Sequence, residues 1–283
     1  MNAPKIYWLV SYPKSGNTWC RAFLSNYMNK GENYIGINQL EYIPMVSSHF
    51  FVDTLLGLES SELTNDEIDE FRLESFKILQ KKSNNIQIMK VHDCYEPDFF
   101  TDDITAGVIY IVRNPLDVAV SFAYHLNTSI ECSIQHLNDE HSYLCNNPDK
   151  FEIQFPQKIS SWRSHVNSWM RNFKGNLLLL RYEDLLDYPQ KTFADLINFL
   201  PWEYNEEIFH RSLKISSFNS LKQQEEQEGF KEKSPKTKTF FREGKSGTWR
   251  KYLRDDQIAE IIKHHGEVMK DLKYLDKNGD VLI

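Results

Sequence analysis

Residues 6–19 read IYWLVSYPKSGNTW, and this stretch decides the fold. The apolar run at 6–10 has the length and the bulky side chains of a buried strand. Pro13 and Gly16 interrupt the pattern, and the following segment at 20–28, CRAFLSNYM, is typical of a helix. A strand that feeds through a tight loop into a helix presents backbone N–H groups and the positive end of the helix dipole to an anion. The stretch therefore predicts a P-loop-like strand-loop-helix that binds a phosphate-type group.

Further short apolar runs lie at 86–91, 108–112 and 177–180, and longer helical patterns separate them. Buried runs that alternate with helices favour a parallel sheet covered on both faces, which is an α/β fold. The chain has 283 residues, of which 41% are hydrophobic. This length fits one large domain better than two small ones, so we expect a single domain over 1–283 with a central parallel sheet flanked by helices.

The overall charge limits the class of partner. A formal net charge of -7 argues against nucleic acid as a ligand, so an anion site on this chain must be local. Neither an apolar stretch of about 20 residues nor a signal peptide is visible, which predicts a cytoplasmic protein without a membrane anchor. The four cysteines lack CxxC spacing, so we expect neither a zinc site nor a disulfide framework, and no bound metal.

The position of Lys14 distinguishes this loop from that of a nucleotide kinase. A Walker A loop places its lysine after its second glycine, whereas Lys14 precedes Gly16. The kinase interpretation is therefore disfavoured. An ordinary strand-to-helix turn with a surface lysine remains the structural alternative at this point.

Two later segments also contain candidate anion ligands. RNPLDVAVS begins at Arg113 after the third strand, and Ser121 lies two helical turns further on, so both side chains could face one anion. FREGKSGTW contains Arg242 and Lys245 among glycines, as in a loop that closes over a phosphate. The structural alternatives are an Arg–Asp pair for the first segment and a solvated basic turn for the second.

Together the three segments resemble the cytosolic-type sulfotransferases that use 3′-phosphoadenosine-5′-phosphosulfate (PAPS). The corresponding family motifs read close to YPKSGTTW, RNPKDVAVS and RKGxxGDW, and they occur here in the same order over nearly the whole chain. The resemblance implies transfer of a sulfuryl group from PAPS to a hydroxyl group, with the desulfated nucleotide PAP as product and without a metal. A noncatalytic module that binds PAPS or PAP is the alternative.

The resemblance also implies which residues contact the nucleotide. Two departures from the family pattern occur: Asn17 stands in place of a threonine, and Glu243 stands in place of a lysine. The second change removes a cation near a phosphate, which lowers affinity unless Lys245 compensates. The nucleotide-binding residues implied are Lys14, Ser15, Gly16, Asn17, Thr18, Trp19, Arg113, Ser121, Tyr182, Ser216, Phe218, Arg242, Glu243 and Gly244.

The catalytic candidates are His92, Lys90 and Lys14. His92 in MKVHD lies at the end of the second strand, where the family carries KTH, and an imidazole accepts a proton near neutral pH. In the same resemblance Lys90 and Lys14 neutralise charge on the group that is transferred and on the leaving phosphate. Asp93 either orients the imidazole or faces solvent.

The acceptor is expected to be a small lipophilic alcohol or phenol. Aromatic residues in the variable regions could line its cavity, although the same residues could belong to the core. The polar segment 223–238 is interpreted as a mobile surface loop. The sequence does not indicate the oligomeric state. The aromatic candidates are Tyr42, Phe50, Phe51, Phe99, Phe100, Phe122 and Tyr124.

Overall fold

The computed structural model describes residues 6–30, 33–83, 85–147, 152–234 and 237–283. Its central sheet contains four parallel strands, flanked by helices, in the order β2-β1-β3-β6. A separate antiparallel pair is formed by β4 and β5. The strands are β1 (Ile6–Ser11), β2 (Gln87–Val91), β3 (Thr105–Val112), β4 (Tyr143–Leu144), β5 (Gln157–Lys158) and β6 (Leu177–Arg181).

The predicted α/β class with a parallel sheet is confirmed. Each of the four apolar runs forms a strand of this sheet, with ends that differ by three residues or fewer from those predicted. The β4–β5 pair was not predicted, because strands of two residues carry no detectable periodicity. The single domain over 1–283 remains a prediction.

The helices follow in chain order. Thr64 caps α3, since its hydroxyl accepts from the Glu67 backbone N–H and the Glu67 carboxylate accepts from the Thr64 N–H in return. No helix among the described residues is long and apolar enough to cross a membrane. The helices are α1 (Asn17–Met28), α2 (His49–Leu56), α3 (Asn65–Lys82), α4 (Pro115–Leu126), α5 (Ile130–Asn138), α6 (Trp162–Asn167), α7 (Tyr182–Asp187), α8 (Pro189–Phe199), α9 (Glu206–Ile215), α10 (Phe218–Glu228) and α11 (Asp255–Asp271).

The chain forms two compact units. The first unit comprises residues 1–12, 43–110 and 139–179. Its core contains a cluster of aromatic side chains around Trp8, whose indole lies 5.1 Å from the Phe76 ring and donates to the Thr105 hydroxyl at 2.9 Å. Burying such rings stabilises β1 and the start of β3.

The second unit comprises residues 13–42, 111–138 and 180–283. Phe23 on α1 is fully buried and its ring centroid lies 4.2 Å from that of Phe193 on α8. This contact anchors the helix that follows the predicted phosphate loop.

The prediction of a mobile loop over 223–238 is wrong for most of the described part. Helix α10 continues to Glu228, and the Glu225 carboxylate accepts hydrogen bonds from the backbone N–H groups of Phe240 and Phe241. Further along, Glu232 pairs with the buried Arg21 guanidinium of α1 at 2.7 Å. Hydrogen bonds and an ion pair to residues outside the segment therefore hold it in place, although its polar composition alone resembles that of a solvated loop. Residues 235–236 lie outside the described residues.

Candidate active site

The loop between β1 and α1 has the backbone conformation of an anion site. Lys14 adopts φ +68° and Gly16 adopts φ +107°, and Gly16 caps α1 without any side-chain hydrogen bond to the first turn. Helical N–H groups of a first turn point along the axis toward the cap, where they bind anions. A Cβ atom at Gly16 would lie 2.7 Å from Cδ2 of Tyr182, so only glycine fits this position.

Two side chains of the loop complement that backbone. Ser15 is fully buried, and its hydroxyl oxygen has no hydrogen-bond partner among the described residues. The ammonium group of Lys14 lies 3.9 Å from the centroid of the Phe240 ring, a cation–π contact. A buried hydroxyl beside a held cation fits a bound anion, because the anion would satisfy both groups. The neighbouring Asn17 and Thr18 are buried in the first turn of α1.

Arg113 connects this loop with the segment around Lys245. Its guanidinium donates to the backbone oxygen of Lys14 at 3.1 Å and to that of Lys245 at 3.0 Å. It also lies 4.3 Å from the centroid of the Tyr182 ring. Arg113 Nε has no hydrogen-bond partner among the described residues. Arg113 therefore holds two candidate ligand loops together, a role that the sequence did not reveal.

Asp117 supports the candidate site through contacts that sequence reasoning missed. The structural alternative paired it with Arg113, but its buried carboxylate instead accepts from Gly247 N at 2.7 Å, Thr248 Oγ1 at 2.9 Å and Trp249 N at 3.0 Å. These bonds fix the end of the 242–249 segment. No local pattern identifies such a partner, because it lies about 130 residues away.

The departure at Glu243 affects Arg242 directly. Arg242 Nη1 lies 2.7 Å from Glu243 Oε1, and the same oxygen accepts from the Tyr252 hydroxyl at 2.8 Å. This hydrogen bond raises the pKa of Tyr252. The Arg242 guanidinium also lies 4.0 Å from the centroid of the Tyr124 ring. The predicted phosphate ligand Arg242 is therefore already paired with a carboxylate.

Trp19 and Tyr182, two of the residues predicted to bind the nucleotide, differ in accessibility. Trp19 is half-buried, and its ring meets those of Tyr182 and Phe193 edge to face at 6.1 and 5.6 Å. Partial exposure of Trp19 leaves ring surface for stacking, while Tyr182 is 7% exposed. Tyr182 is the ring that packs against Gly16.

The turn before α10 carries Ser216 and Phe218, two further residues predicted to bind the nucleotide. Ser216 is fully buried and its hydroxyl donates to the Ser212 backbone oxygen at 2.8 Å. Phe218 is half-buried and covers Gly244, where a Cβ atom would lie 2.3 Å from the Phe218 ring. Ser121 is half-buried on α4.

In the first unit, His92 lies just beyond β2. Its Nδ1 is 2.7 Å from the backbone oxygen of Ser11. A carbonyl oxygen only accepts, so Nδ1 carries the hydrogen and Nε2 carries the lone pair of the neutral ring. Lys90 is buried on β2, and its backbone pairs with Pro44 O and Val46 N. His92 is therefore held in the tautomer that accepts a proton at Nε2.

Neither alternative for Asp93 is correct. The side chain is buried and does not face solvent, and its carboxylate pairs with Arg72 at 2.9 Å rather than with the imidazole. Burial raises the pKa of Asp93, an effect that the nearby Arg72 cation opposes. This buried pair joins α3 to the end of β2.

The aromatic residues proposed to line an acceptor cavity do not form one group. Phe100 and Phe122 are buried core residues, each 1% exposed. Tyr42, Phe50 and Tyr124 are instead exposed at the surface. In the described part of the chain, no cluster of three or more His, Cys, Asp or Glu side chains could hold a metal ion.

The structure is an α/β fold with a candidate anion site at a helix N-terminus, an arrangement found in nucleotide-dependent transferases. A profile of the family described as a sulfotransferase domain matches residues 4–273. The match covers nearly the whole sequence, so the chain belongs to the sulfotransferase family. The predictions of family and enzyme class are thereby confirmed.

Individual relatives agree with this assignment. Cytosolic sulfotransferase 16 of Arabidopsis thaliana is 24% identical, over 98% of this chain and 79% of the relative. The 3-beta-hydroxysteroid sulfotransferase of Cavia porcellus is 26% identical, over 92% of this chain and 82% of the relative. Among solved structures, mouse sulfotransferase SULT7A1 complexed with PAP has a TM-score of 0.59 at 21% identity, covering 99% of this chain and 87% of the mouse chain. At that identity the structural likeness supports the fold alone.

Proposed function

We propose that this chain transfers a sulfuryl group from PAPS to the hydroxyl of a small lipophilic alcohol or phenol, with His92 as general base. The observation that carries the proposal is the loop at 14–16, where a lysine, a buried serine hydroxyl and a glycine helix cap fit an anion. The PAP named for the mouse sulfotransferase is such an anion. The lipophilic acceptor is supported by the hydroxysteroid in the name of the Cavia porcellus relative.

The residues present fit PAPS in several places. Lys14, Ser15 and the first turn of α1 would hold its phosphosulfate, and Trp19 would stack on its adenine. Arg113 Nε and the Arg242 guanidinium would serve its 3′-phosphate, the latter after separating from Glu243. PAPS would supply the sulfuryl group, with PAP as the leaving group.

This chain's own side chains would then carry out two tasks. His92 Nε2 would accept the proton of the acceptor hydroxyl as that oxygen forms its bond to sulfur, so the attacking oxygen develops no full negative charge. Lys14 would offset the charge that develops on the phosphate oxygen as its bond to sulfur breaks. Lys90 would add a second positive charge.

A cytoplasmic location also remains a prediction, in line with the name of the Arabidopsis relative.

The proposal is tested by transfer from PAPS labelled with ³⁵S to a phenol, a steroid alcohol and a long-chain alcohol. We expect a labelled ester with at least one acceptor, and a loss of about a hundredfold or more in His92→Ala and in Lys14→Ala. Lys191→Ala is the matched control, because Lys191 is exposed on α8 and pairs with Asp195 on the same helix.

Calorimetric titration with PAP separates the alternatives. Binding of PAP by the wild type with no transfer to any acceptor would favour a noncatalytic nucleotide-binding module. Failure of the folded wild type to bind PAP would overturn the proposed function. Full transfer activity in His92→Ala would remove His92 from the role of base.

A further inference from the structure

The backbone that carries His92 is not held by the sheet. The parallel register of β1 with β2 ends at the pair Val10–Val91, so His92 and Asp93 lie beyond the last paired residues. A catalytic side chain on such a segment needs other contacts to fix its position.

Those contacts come from α6 and the π-helical turn, Ser168–Asn172, that continues it. His165 Nε2 lies 3.0 Å from the backbone oxygen of His92, and Trp169 Nε1 donates to the backbone oxygen of Asp93 at 3.0 Å. Ser168 Oγ accepts from the backbone N–H of Tyr95 at 3.0 Å. Residues four apart lie on one helix face, so His165 and Trp169 reach adjacent carbonyl groups.

The state of His165 is determined by its two neighbours. The His92 carbonyl only accepts, so Nε2 of His165 carries the hydrogen, and Nδ1 accepts from the Tyr110 hydroxyl at 2.8 Å. The ring is fully buried, and burial lowers the pKa of His165 to about 4. The ring therefore stays neutral at neutral pH and keeps both hydrogen bonds.

We infer that His165 is a positioning residue that holds the His92 backbone so that the His92 ring stays against the Ser11 carbonyl, in the tautomer whose Nε2 accepts a proton. The 2.7 Å contact from His92 Nδ1 to Ser11 O and the 3.0 Å contact from His165 Nε2 to His92 O hold the ring and the backbone of the same residue. The inference deepens the proposed function, since it rests on His92 acting as the base.

The test reads the tautomer of His92 directly, by NMR of protein with ¹⁵N-labelled histidine rings. The wild type is expected to show His92 as a single Nδ1–H tautomer. In His165→Phe, which keeps a ring and removes both hydrogen bonds, we expect a mixture of tautomers. In the same variant kcat should fall about tenfold or more while the Kd of PAP changes by less than about twofold.

A conservative variant distinguishes the effect of the hydrogen bond to the His92 carbonyl from the effect of ring packing. The glutamine side chain in His165→Gln places an amide N–H near the former Nε2, so this variant is expected to restore both the single tautomer and most of kcat. Val166→Ala is the control for lost packing, because Val166 is fully buried on the same helix and its side chain has no polar group. We expect its stability to fall while the His92 signals stay unchanged.

Tyr110→Phe provides a second route if His165→Phe does not fold. Removing the Tyr110 hydroxyl releases Nδ1 of His165, which is expected to produce a smaller tautomer mixture at His92. A single Nδ1–H tautomer of His92 in every folded variant would overturn the inference, whether or not transfer is observed. Absence of transfer in the wild type would instead count against the proposed function.

Discussion

Glu243 Oε1 lies 2.7 Å from Arg242 Nη1, so a carboxylate neutralises the arginine that the family resemblance assigns to a phosphate. Each side chain of the pair is 24% exposed, and Tyr252 donates to the same carboxylate oxygen. A phosphate that approaches Arg242 must compete with Glu243 for its N–H groups and is repelled by its charge.

Replacement of Glu243 should therefore strengthen nucleotide binding. In Glu243→Lys we expect the Kd of PAP, measured by calorimetry, to fall roughly threefold to tenfold, because a repelling charge is removed and a cation is added. The gain should shrink at high salt. Glu226→Lys is the matched control, because it makes the same charge change at an exposed position of α10. An equal gain in both variants, or none in Glu243→Lys, would contradict the prediction.

Gly16→Ala should abolish PAP binding. Its Cβ would lie 2.7 Å from Tyr182, and the residue would keep φ +107°, so the loop cannot retain its shape. Calorimetry should find no binding, and chemical denaturation should find a free energy of unfolding lower by about 2 to 4 kcal/mol.

Gly279→Ala isolates the effect of the steric contact. Gly279 has a similar φ of +97°, but an added Cβ meets nothing within 4 Å. This control should lose about 1 to 2 kcal/mol of stability from backbone strain and keep PAP binding. Equal PAP affinity in the two variants would show that the Gly16–Tyr182 contact is not needed.

Asp117→Asn tests the acceptor that fixes the 242–249 segment. The amide replaces one carboxylate oxygen with a donor that faces another donor, Gly247 N or Trp249 N. We expect the free energy of unfolding to be lower by about 1.5 to 3 kcal/mol, and we expect the affinity for PAP to fall. Faster hydrogen exchange of the Gly247 and Trp249 amides would show that the loss of stability lies in this segment. The control is Asp195→Asn, which removes a charge from the exposed pair with Lys191 and should leave the exchange of those two amides unchanged. Unchanged exchange in Asp117→Asn would refute the assignment.

Local sequence signals predicted the sheet strands and the anion loop. The runs before Ser11 and after Thr105 are strongly apolar, and Gly16 marks a turn that a side chain cannot occupy. The capping box at Thr64 is likewise a local feature, since both of its partners lie within four residues. Each of these features depends on neighbours in the chain, which is why pattern alone identifies it.

Features that depend on distant partners were missed or misread. Asp93 was expected to face His92 or solvent, yet its partner Arg72 lies 21 residues away. The polar segment before Phe240 was predicted to be mobile, although its Glu225 carboxylate accepts hydrogen bonds from the backbone N–H groups of Phe240 and Phe241. Pairings of this kind depend on how elements pack, and a buried acceptor such as Asp117 resembles an ordinary surface carboxylate in the sequence.

The buried His165 also predicts how stability depends on pH. Its pKa is lowered to about 4 in the folded protein, against about 6.5 in the unfolded chain. As the pH falls, the unfolded state therefore binds a proton before the folded state does. The contribution of neutral His165 to the free energy of unfolding is complete above about pH 6.5 and is lost between about pH 6.5 and 4. Between pH 8 and pH 5 the free energy of unfolding of the wild type should fall by about 2 kcal/mol more than that of His165→Gln, as measured by urea unfolding at each pH. Parallel curves for the two proteins would mean that His165 takes up a proton as easily in the folded state as in the unfolded chain, contrary to its burial beside Tyr110.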